Sequence, residues 1–177
     1  MSLAARKRLG LDEIWWLVSP QNPLKPADGM APFAARLARA RAVARHPRIR
    51  VLDIEARLET QLTADTVAAL RARFPHIRFL WIMGADNLLQ FHRWAAWREI
   101  ARMVPIVVLA RPPYTGRSRR APATGWLRHF RRRSPRRWRD LPLPTFLFLD
   151  LGHDPSSATA IRARLPDWAA PGAKAAV

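Results

Sequence analysis

The chain has 177 residues, 49% of them hydrophobic, which is enough for one domain with a substantial core. It has no cysteine, so disulfide frameworks and thiolate metal sites are excluded, and with neither a signal-like leader nor an apolar run of membrane-spanning length, a soluble cytoplasmic protein is expected. The net charge of +18 ordinarily points to nucleic acid, yet nearly all of it is arginine, a bias that coding-sequence composition can produce, and ten arginines crowd into Arg117 to Arg139, so the composition argues against nucleic acid as the main partner.

In chain order, Ser2 to Leu9 reads as the latter part of a helix that leads through Gly10 into a strand at Glu13 to Val18. Met30 to Ala44 is a helix whose turns are marked by Met30, Phe33, Leu37 and Ala40 or Arg41. Ile49 to Ile54 is the second strand. Thr63 is placed to cap a helix with Asp65 in its first turn and Val67, Leu70 and Phe74 facing inward. Further strands are expected at Arg78 to Met83, Pro105 to Ala110 and Thr145 to Leu149, with a helix over Trp94 to Met103 stopped before Pro105. Apolar runs alternating with helical patterns indicate an α/β protein with a parallel sheet and flanking helices. Pro112 to Pro144 is an arginine- and proline-rich insert in a domain covering residues 1–166, with a short helix expected around Gly125 to Arg133. Residues 167–177 form an Ala- and Pro-rich tail.

Three loops leave the carboxyl ends of these strands, where open α/β sheets bind small ligands. Ser19 to Pro26 combines stiff prolines with Asn22 and Lys25, although a plain crossover loop has the same composition. In the second, the apolar run ends at Gly84-Ala85-Asp86, where the glycine permits close backbone approach and the carboxylate can cap amides or accept from a sugar hydroxyl. Trp94 and Trp97 follow, three apart on one expected helical face, and one of them offers a flat stacking surface. The third loop, Pro155 to Arg162, opens the last helix with hydroxyls beside unspent amides. That is a cradle for phosphate or, taken singly, a capping motif.

Taken in order, Pro20 to Lys25, Thr63-Ala64-Asp65-Thr66, Gly84-Ala85-Asp86 with Trp94 eight residues after the Asp, Arg111-Pro112 and Ser157 to Arg162 resemble the bacterial nicotinate-nucleotide adenylyltransferase family, from about Ser2 to Arg164. The resemblance implies a Rossmann-like nucleotidyltransferase fold. It implies transfer of AMP from ATP, carried with Mg2+, to nicotinate mononucleotide, giving the dinucleotide and pyrophosphate in NAD biosynthesis. On the substrate side it implies that Trp94 stacks on the pyridine ring, that backbone around Thr63 and Ala95 receives the nicotinate carboxylate, that Asp86 with Gly84 contacts ribose hydroxyls, and that Asn22 lines the site. On the ATP side it implies Lys25, Ser157, Thr159 and Arg162 at the phosphates and Arg111 lining the pocket. Leu62 replaces an aromatic that is common in the family. Chemistry of this kind asks for alignment and charge neutralisation rather than a nucleophile.

The family's Gly-rich first strand and His-x-Gly-His motif have no counterpart among His46, His76, His92, His129 and His153, so catalytic residues stay unassigned. The missing strand belongs in the middle of the sheet, between the strands at Glu13 and Arg78, and its loss strands backbone groups that are costly to leave unpaired. The expectation is a gene product that begins roughly twenty residues upstream, a strand with its loops. Other readings remain: a sister enzyme acting on nicotinamide mononucleotide or phosphopantetheine, a nucleotide-binding remnant without catalysis, or a basic nucleic-acid module using Arg117 to Arg139 with Trp126 and Trp138 as stacking partners. Oligomeric state is not readable.

Overall fold

The computed structural model describes residues 1–20, 31–110 and 114–152. Along the chain these form α1 (Ser2–Leu9), β1 (Ile14–Leu17), α2 (Phe33–Val43), β2 (Ile49–Leu52), α3 (Ile54–Arg57), α4 (Thr63–Arg73) and β3 (Trp81–Gly84). Then follow α5 (Ala85–Leu88), α6 (Trp97–Met103), β4 (Ile106–Leu109), α7 (Tyr114–Ser118), α8 (Pro122–Leu127) and β5 (Phe146–Leu149), with 3-10 turns at Phe91–Arg93, Arg128–Phe130 and Pro135–Asp140.

Every strand expected from the sequence is present: β1 and β4 are shorter at both ends, β2 and β5 at one, and β3 starts three residues late and runs one residue further, to Gly84. Phe79 and Leu80 are apolar but lie outside β3, whose ladder starts where Trp81 N–H reaches the Pro105 carbonyl at 2.9 Å. Pro105 has no N–H to extend that ladder. Ile54 leaves β2 for α3, which turns at Asp53. The strands pair in parallel as two sheets, β1-β2 and β3-β4-β5. Among the described residues β1 and β3, the strands expected to share a missing neighbour, each pair on one side.

The chain divides into two compact units, Met1–Leu11 with the segment starting at Leu62, and Asp12–Gln61. In the first, β4 is buried at all four positions, as a strand covered on both faces should be. Ile106 and Val108 face a core with Met83, Phe91, Trp97, Ile100, Leu127 and Phe146. Val107 and Leu109 face the opposite core, where Leu147, Leu149 and Trp138 meet Ala5 and Leu9 of α1. Gly10 closes α1 in the left-handed conformation at φ 64°, which glycine adopts without strain. The exposed helix-end carbonyls then find donors 129 residues away: Trp138 Nε1 donates to Leu9 O at 2.9 Å and Arg139 Nη2 to Gly10 O at 2.6 Å.

Those contacts change the reading of the arginine-rich insert. Ala123 and Leu127 are fully buried, and Thr124 Oγ1 donates to Ser118 O at 2.7 Å, so its described part is folded into the core with arginines turned outward. The expected helix around Gly125 to Arg133 is instead α8 followed by a 3-10 turn, since Pro122 starts the helix early. Trp138, 3% exposed and hydrogen-bonded to α1, is unavailable to stack on a base, against the nucleic-acid reading.

In the second unit, Glu13 accepts from Trp15 Nε1 at 3.1 Å and pairs with Arg50 across β1 and β2, which together hold its carboxyl below the usual range. Arg36 of α2 spreads its guanidinium over three carbonyls, Ser19 at 2.6 Å, Pro20 at 2.5 Å and Ala31 at 3.0 Å. One planar fork thus ties together residues 19–20 and 31.

Candidate functional site at the carboxyl ends of β3 and β4

Parallel register puts Gly84 beside Leu109, and Leu109 beside Leu149, so three strands end on one rim. The helices α4 and α6 each lead into the amino end of a strand, β3 and β4, and therefore start toward that rim. Thr63, Gly84, Asp86, Trp94 and Ala95 consequently belong to the same end of one unit. A single core cluster carries Ala64, Met83, Ala85 and Leu88, with Trp81 and Trp94 packed against it.

Several expectations for these residues change. Trp94 and Trp97 do not share a helical face: Trp94 is extended, at φ −72° and ψ 136°, and Ala96 is left-handed at φ 51° before α6 begins at Trp97. The cause is the 3-10 turn at Phe91–Arg93, which seats Phe91 in the core and forces a kink before the next helix. Trp97 is buried at 9% exposure, whereas Trp94 is half-buried and keeps an accessible part. Trp94 meets Trp81 edge to face at 6.3 Å and Phe91 at 5.3 Å. The row continues through Trp97, Trp126 and Phe130, with Arg98 4.6 Å from the centre of the Trp97 ring. Such contacts hold the indole of Trp94 in place.

Thr63 is the first helical residue of α4 rather than its cap, which is Leu62, and no side chain caps the helix. Instead Thr66 Oγ1 bonds back to Leu62 O at 3.2 Å. The first-turn amides of α4 thus have no intrahelical acceptor, the property that makes a helix start receptive to an anion. Ala95 is exposed just ahead of α6.

Asp86 is the second residue of α5 and makes no side-chain cap either. Its carboxylate folds back over Gly84, where a Cβ would stand 2.3 Å from Oδ1. A larger residue at position 84 would therefore displace the Asp86 carboxylate. Two further polar groups were not legible as such in the sequence: Trp81 Nε1 and His92 Nδ1 are buried without a hydrogen-bond partner among the described residues. Each such orphan costs about 1–3 kcal/mol; His92 lies between Asp86 and Trp94 in the chain, and the Trp81 ring meets Trp94 edge to face. Nothing in the sequence signals this, because Trp81 reads as strand core and His92 belongs to no motif. Asn22, Lys25, Arg111, Ser157, Thr159 and Arg162 lie outside the described residues, as does His153.

A model of the cytidylyltransferase-like family matches residues 2–164. The chain belongs to that family. Among its relatives, a probable nicotinate-nucleotide adenylyltransferase of Erythrobacter litoralis is 52% identical over 173 residues, covering 95% of this chain and 78% of the relative. One of Cereibacter sphaeroides is 55% identical over 163 residues, covering 92% and 87%. A solved structure of Plasmodium falciparum nicotinic acid mononucleotide adenylyltransferase complexed with APC aligns with a TM-score of 0.56 over 89% of this chain and 68% of that one. At 13% identity, that likeness establishes the shared fold. The family's nucleotidyltransferase architecture accounts for the parallel pairing of β3, β4 and β5, whose carboxyl ends share one rim.

Proposed function

We propose that this chain is a nicotinate-nucleotide adenylyltransferase of NAD biosynthesis. The phosphate oxygen of nicotinate mononucleotide attacks the α-phosphorus of ATP, the bond to the β-phosphate bridge breaks, and pyrophosphate leaves as the dinucleotide forms. The observation that carries this is Trp94, an indole locked edge-on by Trp81 and Phe91 yet partly accessible, on the same rim as Asp86 and the uncapped start of α4. Relatives above 50% identity bearing this activity in their names support it.

In this reading the pyridine ring stacks on Trp94, and its carboxylate is received by backbone amides around Thr63, where the start of α4 leaves N–H groups without an intrahelical acceptor, and around Ala95. Asp86, held over Gly84, accepts from ribose hydroxyls, and Asn22 lines the site. ATP enters as its Mg2+ complex, with its phosphates met by Lys25, Ser157, Thr159 and Arg162 and with Arg111 alongside. These groups position two anions in line and neutralise charge building on the leaving pyrophosphate, the main source of rate in phosphoryl chemistry. The protein works in the cytoplasm; no helix among the described residues is long and apolar enough to cross a membrane.

The test is pyrophosphate release by the full chain with ATP and either the acid or the amide mononucleotide. Product from the acid, at several-fold higher kcat/KM than from the amide, is expected. Product from the amide alone, or from neither, overturns the assignment.

A further inference from the structure

A second concave feature lies at the opposite end of the β3-β4-β5 sheet. It is a cleft of about 380 Å3 built from segments that precede these strands, around residues 75–79, 103–105 and 141–143. Trp81 N–H to Pro105 O marks the amino end of the ladder, and Gly84 and Leu109 mark the other. Strands of four residues separate the two ends by roughly 10–13 Å, so the cleft is distinct from the rim of Asp86 and Trp94.

Its lining has two characters. Ile77 and Leu143, at 44% and 40% exposed, are among the few large apolar side chains left open to water, and both are in this cleft, with Met103 beside them. Exposing apolar surface in this way is costly, and such clustering marks binding surfaces. Around them stand Arg71, Arg78 and Arg139, against one carboxylate, Asp140. Arg78 is held in the lining: its Nη1 donates to Arg139 O at 3.1 Å and lies 3.9 Å from Asp140 Oδ1. The rest of its fork and the whole head of Arg71 have no partner among the described residues. Arg139 is fixed by its bond to Gly10 O and by Trp138, whose ring centre is 4.9 Å from its guanidinium carbon. The floor is thus rigid, because Trp138 is buried and tied to α1.

We propose that this cleft is a binding site for a compact amphipathic anion, a small molecule with an aromatic or branched apolar body and one carboxylate, sulfonate or phosphate. The apolar body covers Ile77, Leu143 and Met103, and the anionic group takes the open donors of Arg78 and Arg71. The volume falls within the range of small-ligand pockets and is too small for a folded segment. Forked guanidinium groups suit a planar or tetrahedral anion better than a dispersed charge does. This inference is independent of the adenylyl-transfer reading.

The experiment titrates the full chain with 1-anilinonaphthalene-8-sulfonate, followed by fluorescence and calorimetry, beside the uncharged N-phenyl-1-naphthylamine. Saturable 1:1 binding of the sulfonate is expected, with the uncharged probe about tenfold weaker. The R71Q/R78Q double variant should weaken the sulfonate about tenfold and leave the uncharged probe unchanged, while Leu143→Lys weakens both. All three side chains are exposed, so circular dichroism should report unchanged folding. Excess ATP should leave the sulfonate bound. Equal affinity of the sulfonate for wild type and both variants, or its displacement by ATP, overturns the proposal.

Discussion

The carboxylate of Asp86 occupies the space that a side chain at Gly84 would need: an added Cβ would stand 2.3 Å from Oδ1. Backbone freedom is not the reason for glycine here, since Gly84 has an ordinary extended conformation at φ −76° and ψ 160°. The pair is a steric unit in which one residue is small so that the other can fold back. Gly84→Ala should leave the fold intact, push the carboxylate aside and lower kcat/KM by about 10²-fold, the scale of an ångström-level misplacement. Steady-state kinetics beside a thermal melt checks this, and full activity in the variant would show that Asp86 has no need of that position.

The two neighbouring tryptophans should separate cleanly. Trp97→Ala empties a buried site in the aromatic row and should cost about 3–5 kcal/mol in urea denaturation. Trp94→Ala removes a half-buried ring and should cost much less stability while raising KM for the pyridine mononucleotide at least tenfold, with Trp94→Phe intermediate. If the order of the two stability losses is reversed, the positions assigned to these rings are wrong.

Arg36 clamps the carbonyls of Ser19, Pro20 and Ala31 on either side of the segment that carries Asn22 and Lys25. Lysine retains charge but cannot reach three acceptors as a planar fork. Arg36→Lys should therefore behave nearly as badly as Arg36→Met, both raising KM for ATP several-fold with a smaller change in kcat. Rescue by lysine would mean that charge alone matters.

Burial pushes the Glu55 carboxyl above the ordinary glutamate value of 4.5, a hydrogen bond with Ser19 offsetting part of the rise. The folded state holds this proton more tightly than the unfolded chain does. Its stabilising effect is therefore complete below about pH 4.5 and is lost as pH climbs through the raised folded value. Glu55→Gln keeps an acceptor for Ser19 without the charge. Its stability relative to wild type should grow with pH above that point, read from urea midpoints between pH 4 and 8, and a difference that stays flat would refute the buried ionisation.

Much of the architecture was legible from the chain alone because it rests on local rules. A buried central strand must be apolar at every position, and Pro105 to Ala110 announces β4 in that way. Gly10 announces the end of α1, and the alternation of apolar runs with helical periods announces the parallel sheet. Gly84, Asp86 and Trp94, proposed above to face the substrate, stand out in the chain through motif order and spacing.

What sequence periodicity could not supply depends on contacts between distant segments. Trp94 and Trp97 are three residues apart, which suggests one helical face, but seating Phe91 in the core breaks the helix between them. The arginine-rich insert shows only charge, prolines and one short helix in sequence, until Trp138 is seen donating to Leu9, 129 residues away. The amphipathic cleft likewise gathers Arg71, Arg78 and Arg139 from three separate segments. Composition sets which residues seek burial; which ones obtain it is a competition for partners and space across the whole chain, settled only when the chain has packed.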